Sequence, residues 1–526
     1  MQETLELFGE QLQTWRAERA PASTAVAVEQ EPAKRFRVIN RSQLMIRPVD
    51  VENLVEEDHP VRAIWTMVCQ LDWSRFEEDV KVVEGGRGRS GHDPRLLAAL
   101  WIYGYSEGIN SARELSRMCG YEPGCQWLTG MEEVNHHTLS DFRVKDKEAQ
   151  DDLFKQVLGR LSAAGLTDLK RVAQDGTKIR AQASGNSFRR EETLREHLKL
   201  AEEQIQAMGS ADCEDCSQRV MQAKKRAIRE KKQRLELALE ELKKFQEQEQ
   251  EQKAKGPRVS ETDPEARVMK QADGGFAPSY NVQICTEASH KIIVAVETVQ
   301  AGNDYDELAH GIDAVEANTG RTPEQMMVDG GYIKNGNIEE AAQRGIDLLG
   351  PVAETNAEAS LKKRGLSPEF YPDKFRYDET ANTFTCPADK TMTFQRTSQR
   401  GGCREHQYRA KAADCQNCPF RGQCCPKNAP RMIIRIENSE AVRAFKDKMQ
   451  TEEAKQIYRT RAEVAETPNA WIKDKFGLRQ FRGRGLVKTG MEAVWACLTY
   501  NIRQWIRLRW KPQLAAAVAV GGGMSA

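Results

Sequence analysis

The 526-residue chain balances 78 Lys and Arg against 78 Asp and Glu, and 30% of its residues are charged. That length calls for two to four folded units, and the 39% hydrophobic content suits a globular protein with unusually charged segments. No apolar run reaches the length of a membrane span, and the opening MQETLELFGEQLQTW is too acidic and polar for a secretory leader. The thirteen cysteines therefore read first as metal ligands or core residues in a reducing compartment.

Residues 1–43 read as a flexible tail, with PASTAVAVEQEPAK at their centre and little periodicity. From about Leu44 to 165 the pattern is helical. RLLAALWIYGY follows Asp93-Pro94, a helix start with proline in the first turn. A second helix begins at Ser111 and a third at Ser140. Leu169–Gln174 then reads as a strand running into Asp175-Gly176. Over 190–256 the apolar residues take heptad spacing: Leu194, Leu198, Ala201, Ile205 and Met208 on one arm, Met221, Ile228, Leu235 and Leu242 on the other. The polar break GSADCEDC between the arms makes them an antiparallel helical hairpin.

After Gly256-Pro257, Tyr280–Glu287 and Lys291–Val299 flank Ala288-Ser289-His290 as a β-hairpin. A helix over 305–317, the strand QMMVD, a helix over 338–344 and the strand DLLGPV complete an alternating α/β core over 257–352. Residues 353–438 break this pattern and hold six of the thirteen cysteines. Residues 439–511 return to helix, and 512–526 read as a disordered tail. From Lys455 to Lys511 thirteen Lys and Arg face four Asp and Glu. Such a local excess suits a phosphate-binding surface, and equally a solvated helix face.

Asp175 and Asp329 stand at the C-terminal ends of expected core strands. An Asp-Gly pair is first of all a turn signal. Strand ends in an open α/β sheet nonetheless gather functional groups, and two carboxylates there can hold hard divalent cations. A two-metal phosphodiester site needs a third. The helix YRTRAEVAETPNAWIK offers one, with Tyr458, Arg461, Glu466 and Lys473 inside an arc of roughly 140° at 3.6 residues per turn. A mixed-charge surface helix is the plain alternative, and Pro468 should kink or restart the helix.

Together these residues resemble the DDE transposases of bacterial insertion sequences. Tyr458-x-x-Arg461 and Glu466 with Lys473 match the family's Tyr-Arg-Glu-Lys signature, in which the Glu is the third metal ligand. The Arg-to-Glu gap is four residues instead of three, so Ala465 occupies the expected place and Glu463 remains a rival. HDPRLLAALWIYGYSEGINSARELSRMC, WLTG, HHTLSDFR, ETDPEARVM, YNVQ and VDGGY extend the likeness over about 44–509.

The resemblance implies an α/β fold: an RNase H-like mixed sheet flanked by helices. Its parts would lie at 166–189, 257–352 and 439–511, behind a helical DNA-binding domain at 44–165. The hairpin of 190–256 and the cysteine-rich 353–438 would be insertions. It implies catalytic and metal-binding Asp175, Asp329 and Glu466 with two Mg²⁺ (or Mn²⁺), and DNA contacts from Tyr458, Arg461 and Lys473. The partners implied are double-stranded DNA, as terminal inverted repeats and target, and a second subunit when assembled on DNA. The setting implied is the bacterial cytoplasm, at the nucleoid when bound. A nuclease that cuts without joining, and a non-catalytic DNA-binding regulator, are the alternatives.

Cys386, Cys415, Cys418 and Cys424 have spacing that can hold structural Zn²⁺. Cys403 and Cys425 stand as substitutes for Cys386 or Cys424, and free thiols in a small satellite fold are the other reading. Cys213 and Cys216, at the expected hairpin tip, carry no assigned role. Cys69, Cys119, Cys285 and Cys497 lie among apolar residues and read as core. His136-His137 would cap or pack at a helix start, with DNA contact as the alternative.

Overall fold

A computed structural model describes residues 48–78, 91–210, 218–248, 256–352, 361–400, 403–426 and 429–522. The chain divides into Met1–Val49 and Asp50–Ala526, and the elements below belong to the second unit. The tail expected over 1–43 and the hairpin tip with Cys213 and Cys216 lie outside the described residues. Among those described, no helix is long and apolar enough to cross a membrane.

Of the following six N-terminal helices, five begin at a side-chain cap, Ala112–Met118 being the exception. They are α1 (Pro60–Val68), α2 (Pro94–Ser106), α3 (Ala112–Met118), α4 (Pro123–Thr129), α5 (His136–Arg143) and α6 (Lys147–Ala163). Asp93 accepts from the Arg95 N–H at 2.8 Å with Pro94 in the first turn, so α2 starts where expected. The single helix expected from Ser140 is instead two. Asp146 accepts from the Ala149 N–H at 3.1 Å and caps a new helix, α6. The cap of α5 is Asn135, which accepts from His137 N–H at 2.8 Å. His136 and His137 follow it with ring centroids 4.1 Å apart. Cys119, Cys285 and Cys497 are buried, but Cys69 is exposed at the end of α1, where the helix turns out of the core.

The main sheet comprises β1 (Arg171–Arg180), β2 (Arg267–Lys270), β3 (Phe276–Glu287), β4 (Ile293–Val299), β5 (Gln325–Met327) and β6 (Asp347–Leu349). Its path is β2-β3-β1-β5-β6, with β4 also paired to β3. β1 runs antiparallel to β3 and parallel to β5, which is parallel to β6. The helices α9 (Glu307–Thr319) and α10 (Asn335–Gln343) alternate with these strands.

Asp175 does not end its strand as expected. The antiparallel partner β3 carries β1 on to Arg180, whereas pairing with the short β5 stops at Ala173. Asp175 therefore stands two residues beyond the parallel ladder, beside the gap left where β5 ends.

Two further helices, α7 (Glu191–Ser210) and α8 (Gln218–Gln248), leave the sheet between β1 and β2. They run antiparallel: Gln246 bonds Glu191, while Lys232 pairs with Glu202 at 3.0 Å. Leu194, Ala201, Leu235, Ala238 and Leu242 are buried along their seam.

The cysteine-rich stretch, which showed no strand pattern in sequence, forms a five-stranded antiparallel sheet. Its strands are β7 (Arg376–Asp378), β8 (Thr383–Thr385), β9 (Thr391–Arg400), β10 (Cys403–Ala410) and β11 (Met432–Glu437). Between β10 and β11 lie α11 (Ala412–Gln416) and α12 (Arg421–Cys424).

The C-terminal part contains α13 (Glu440–Gln450), α14 (Glu452–Arg459), α15 (Arg461–Ala470), a widened turn over Trp471–Lys475, and α16 (Leu486–Trp505). Nearly every residue of α16 from Met491 to Ile502 is buried, because the helix passes between α2 and α6 on one side and β4 on the other. Asn501 accepts from Ile293 N–H at 2.9 Å and donates to the Ile293 carbonyl at 2.7 Å, satisfying both backbone groups inside the core. The disorder expected over 512–526 is corrected for part of that span. An Ala-rich helix, α17 (Lys511–Gly522), continues there, as the high helix propensity of alanine allows.

Candidate active site

Asp175 is the centre of the site. Its Oδ1 accepts from Arg461 Nη2 at 3.0 Å and its Oδ2 from Asn469 Nδ2 at 3.0 Å, both donors carried by α15. The Asp175 side chain is 21% exposed and that of Arg461 14%, so this ion pair is largely shielded from water. Burial pushes the Asp175 carboxyl up to about 6. The Arg461 guanidinium pulls it back, while the charges of Asp329 and Asp304 add to the rise.

Asp304, an acid not singled out in the sequence, belongs to the same group. Its Oδ1 accepts from Asn281 Nδ2 at 2.8 Å and from Gln283 Nε2 at 2.6 Å. Those amides come from YNVQ, whose alternation in β3 sets Asn281 and Gln283 on one face. Gln283 Oε1 in turn accepts from Tyr332 Oη and from Gln174 Nε2.

Two glycines make the close approach possible. A Cβ on Gly176 would stand 2.3 Å from Asp304 Oδ1, and one on Gly331 2.9 Å from Asp329 Oδ1. Asp329 Oδ1 already accepts from the Gly331 N–H at 2.7 Å. The Asp175-Gly176 pair is thus a packing requirement as much as a turn signal, and at the second aspartate the tight position is Gly331, not Gly330.

The cations and phenol converge on the same acids, although not along one helix. Tyr458 lies in the last turn of α14, Arg461 begins α15, and Lys473 lies in the widened turn that follows Pro468. Burial raises the Tyr458 phenol; Arg461 opposes this, while Asp329 and Asp175 add to it. Burial lowers the Lys473 ammonium with help from Arg479, and Asp175 opposes it. Pro468 sits buried inside α15 without restarting it.

Glu466 is exposed on α15 and has no hydrogen bond or ion pair to a described residue. Its rival Glu463 is engaged elsewhere, paired with Lys291 at 2.5 Å. The structure thus gathers Asp175, Asp329, Tyr458, Arg461 and Lys473, adds Asp304, and leaves Glu466 outside that group. Among the described residues no three His, Cys, Asp or Glu side chains already stand at ion-holding geometry.

Beside the acids opens a cleft of about 740 Å³. Lys178, Arg180, Lys270, Lys473 and Arg479 line it against the acids Asp273 and Asp304. Arg180 and Asp273 form only a long, exposed pair at 3.8 Å. A groove of this charge favours a polyanion.

Two family models match the chain. One, described as a Transposase DDE domain, matches residues 385–506, and the other, a Transposase domain (DUF772), matches residues 49–145. The first includes Tyr458, Arg461, Glu466 and Lys473; neither includes Asp175, Asp304 or Asp329. No curated protein matches the chain. Among solved structures, the chain is similar to the cryo-EM structure of a piggyBac transposase synaptic complex with hairpin DNA. The identity is 8%, over 85% of this chain and 74% of that one, and the TM-score of 0.32 is too low to carry an argument. The two matched domains, in the order the motifs predict, support a DDE-type transposase of the insertion-sequence kind.

Proposed function

We propose that the chain binds the terminal inverted repeats of its element, then cuts and joins DNA at a centre of Asp175, Asp329 and Glu466. The observation that carries this reading is the meeting of Asp175, Asp304 and Asp329 with Tyr458, Arg461 and Lys473 beside a cationic cleft. The strand path β4-β3-β1-β5-β6, antiparallel between β3 and β1 and parallel from β1 onward, supports an RNase H-like core.

The donor set suits Mg²⁺ or Mn²⁺, which prefer carboxylate and amide oxygens. Asp175 and Asp329 would hold such ions, with Asp304 close behind. The Oδ1 atoms of Asn281 and Asn469 are buried with no hydrogen-bond partner, leaving acceptors aimed into the same region. A pair of bound ions would activate the attacking oxygen and stabilise the leaving one.

The chain's own contribution is positioning. Lys178, Arg180 and Lys270 follow the phosphate backbone along the cleft, while Arg461 and Lys473 grip the phosphates nearest Asp175. Glu466 joins the acids by a movement of α15, which the Arg461 and Asn469 bonds to Asp175 and the burial of Val464, Ala465 and Pro468 tie to the core in its present orientation. Two ends are joined by two subunits on DNA.

The test is cleavage and joining of a labelled oligonucleotide carrying the element's end, with Mg²⁺ present. Wild-type protein should yield cut and joined strands. Asp175→Asn, Asp329→Asn and Glu466→Gln should each lose more than the roughly 10–100-fold expected from disturbing a residue behind the ligands, with DNA affinity retained. Glu466→Gln at wild-type rate would remove Glu466 from the centre, and cut but never joined strands would leave a nuclease.

A further inference from the structure

The five-stranded sheet has little core of its own. Phe375, Phe384, Met392, Tyr408, Ala410 and Ile433 are the buried apolar residues of its cluster. Its edge strand β11 leaves Met432, Ile434 and Ile436 exposed. Small folds so thinly packed are usually tied by disulfides or a metal.

The described cysteines of this region are free thiols, and five of them line one cavity: Cys386, Cys415, Cys418, Cys424 and Cys425. Cys386, Cys415 and Cys424 also pack against the sheet's buried cluster. They come from separate pieces of chain. Cys386 opens the β8–β9 turn, Cys415 lies in α11, Cys418 follows it, and Cys424 ends α12.

Two features prepare this cavity for thiolates. In the β8–β9 turn the Lys390 N–H donates to Cys386 Sγ at 3.4 Å, a bond that favours a negatively charged sulfur. The cavity wall also carries Lys390, Arg421 and Arg431 against a single acid, Asp414. A zinc ion with four thiolates keeps a net charge of −2, which the three cations and one acid, together +2, offset. Arg431 is held in place through its donation to the Phe370 carbonyl at 2.9 Å and its position over the Phe375 ring.

We propose that Cys386, Cys415, Cys418 and Cys424 bind one structural zinc ion, tying the β8–β9 turn to α11 and α12. Four thiolates at this spacing satisfy tetrahedral zinc. The sulfurs line the cavity, and among the described residues they do not yet form a ready ion-holding group, so binding requires them to draw together.

Cys425, buried next to Cys424 and lining the same cavity, is assigned as the spare thiol because Cys415-x-x-Cys418 supplies the paired spacing of zinc ligands. Cys403 is excluded by register. It pairs with Arg400 at the far end of β9, whereas Cys386 precedes Thr391 at the near end. At a rise of ~3.3 Å per residue the two ends of β9 lie roughly 30 Å apart.

The full chain, expressed in zinc-replete medium and purified without chelator, should contain one zinc per chain by elemental analysis. Absence of zinc overturns the proposal. Cys418→Ser should abolish bound zinc, and Cys403→Ser and Cys425→Ser should retain it. Loss of zinc in either of the latter overturns the ligand assignment. Should Cys418→Ser fail to fold, alkylation of the wild type keeps the test open. Cys386, Cys415, Cys418 and Cys424 should be protected from alkylation until a chelator removes the ion, as read by peptide mass spectrometry. Protection of Cys425 in place of any of them contradicts the assignment. None of these readouts depends on DNA cleavage, so they stand apart from the proposed active site.

Discussion

Asp175 shows how much one side chain can be asked to do. Each carboxylate oxygen is already occupied, one by Arg461 and the other by Asn469. A guanidinium therefore supplies the positive charge that a divalent cation would bring. In the proposed reading Arg461 leaves Asp175 for a DNA phosphate when substrate arrives. Arg461→Ala should then lower the salt slope of DNA binding by about one unit, since one phosphate contact is lost. The melting temperature should fall as well, because a shielded carboxylate loses its partner. A lower melting temperature with an unchanged salt slope would confine Arg461 to the ion pair and contradict its role on DNA. Asp304 could not have been picked out from the sequence, since nothing in GNDYDEL distinguishes it from its neighbour Asp306. The amides of YNVQ were the available signal, two hydrogen-bonding side chains on one strand face with no stated partner.

At the level of elements, the helix starts were the most legible feature because their chemistry is local. Asp93-Pro94 and Ser111 mark boundaries that the structure retains, and the heptads of α7 and α8 meet along the seam they define. The five-stranded sheet was not legible. TMTFQRTSQR and CREHQYRA are mostly polar, with only Met392, Phe394, Tyr408 and Ala410 to mark an apolar face, and their alignment shows only once the two strands pair. The widened turn after Pro468 also moved Lys473 in a way that a regular 3.6-residue period cannot anticipate.

ETDPEARVM, used in sequence only as a likeness, proves to have a structural task. Asp263 Oδ1 accepts from Gly485 N–H at 3.1 Å and Glu265 Oε2 from Leu486 N–H at 3.0 Å, so both acids hold the start of α16. Tyr280 Oη also donates to Asp263 at 2.7 Å, while Asp263 Oδ2 is buried without a partner. Burial raises the Asp263 carboxyl above the ordinary aspartate range, against the pull of Tyr280 and Gly485. A raised folded value means that the folded chain holds this proton more tightly than the unfolded chain. Its stabilising effect is full below the unfolded value near ~4 and is lost as pH rises through the folded one. Asp263→Asn removes that dependence. The melting temperature of the variant relative to wild type should therefore climb as pH rises from about 4. A difference that stays flat or shrinks would contradict the burial of a protonatable Asp263.

Over the whole molecule, the N-terminal helices and the sheet are not separate bodies. Trp101, Phe142 and Trp495 belong to one continuous buried cluster with the sheet residues Val172, Ile284 and Met326. Arg143, from the SDFR motif, reaches Glu492 on α16 at 3.7 Å and lies over the Trp101 ring. Glu492 also accepts from the backbone of Arg482 and Gly483, which fixes the loop before α16. Motifs far apart in sequence thus tie the N-terminal helices to the loop that leads into α16. The central claim is that these acids hold divalent ions once DNA is bound. Electron paramagnetic resonance of Mn²⁺ added to the complex with an oligonucleotide of the element's end tests it most directly. Wild-type protein should bind two Mn²⁺ per active site, and Asp175→Asn and Asp329→Asn should each bind fewer at equal DNA occupancy. Unchanged Mn²⁺ binding in both variants would contradict the account.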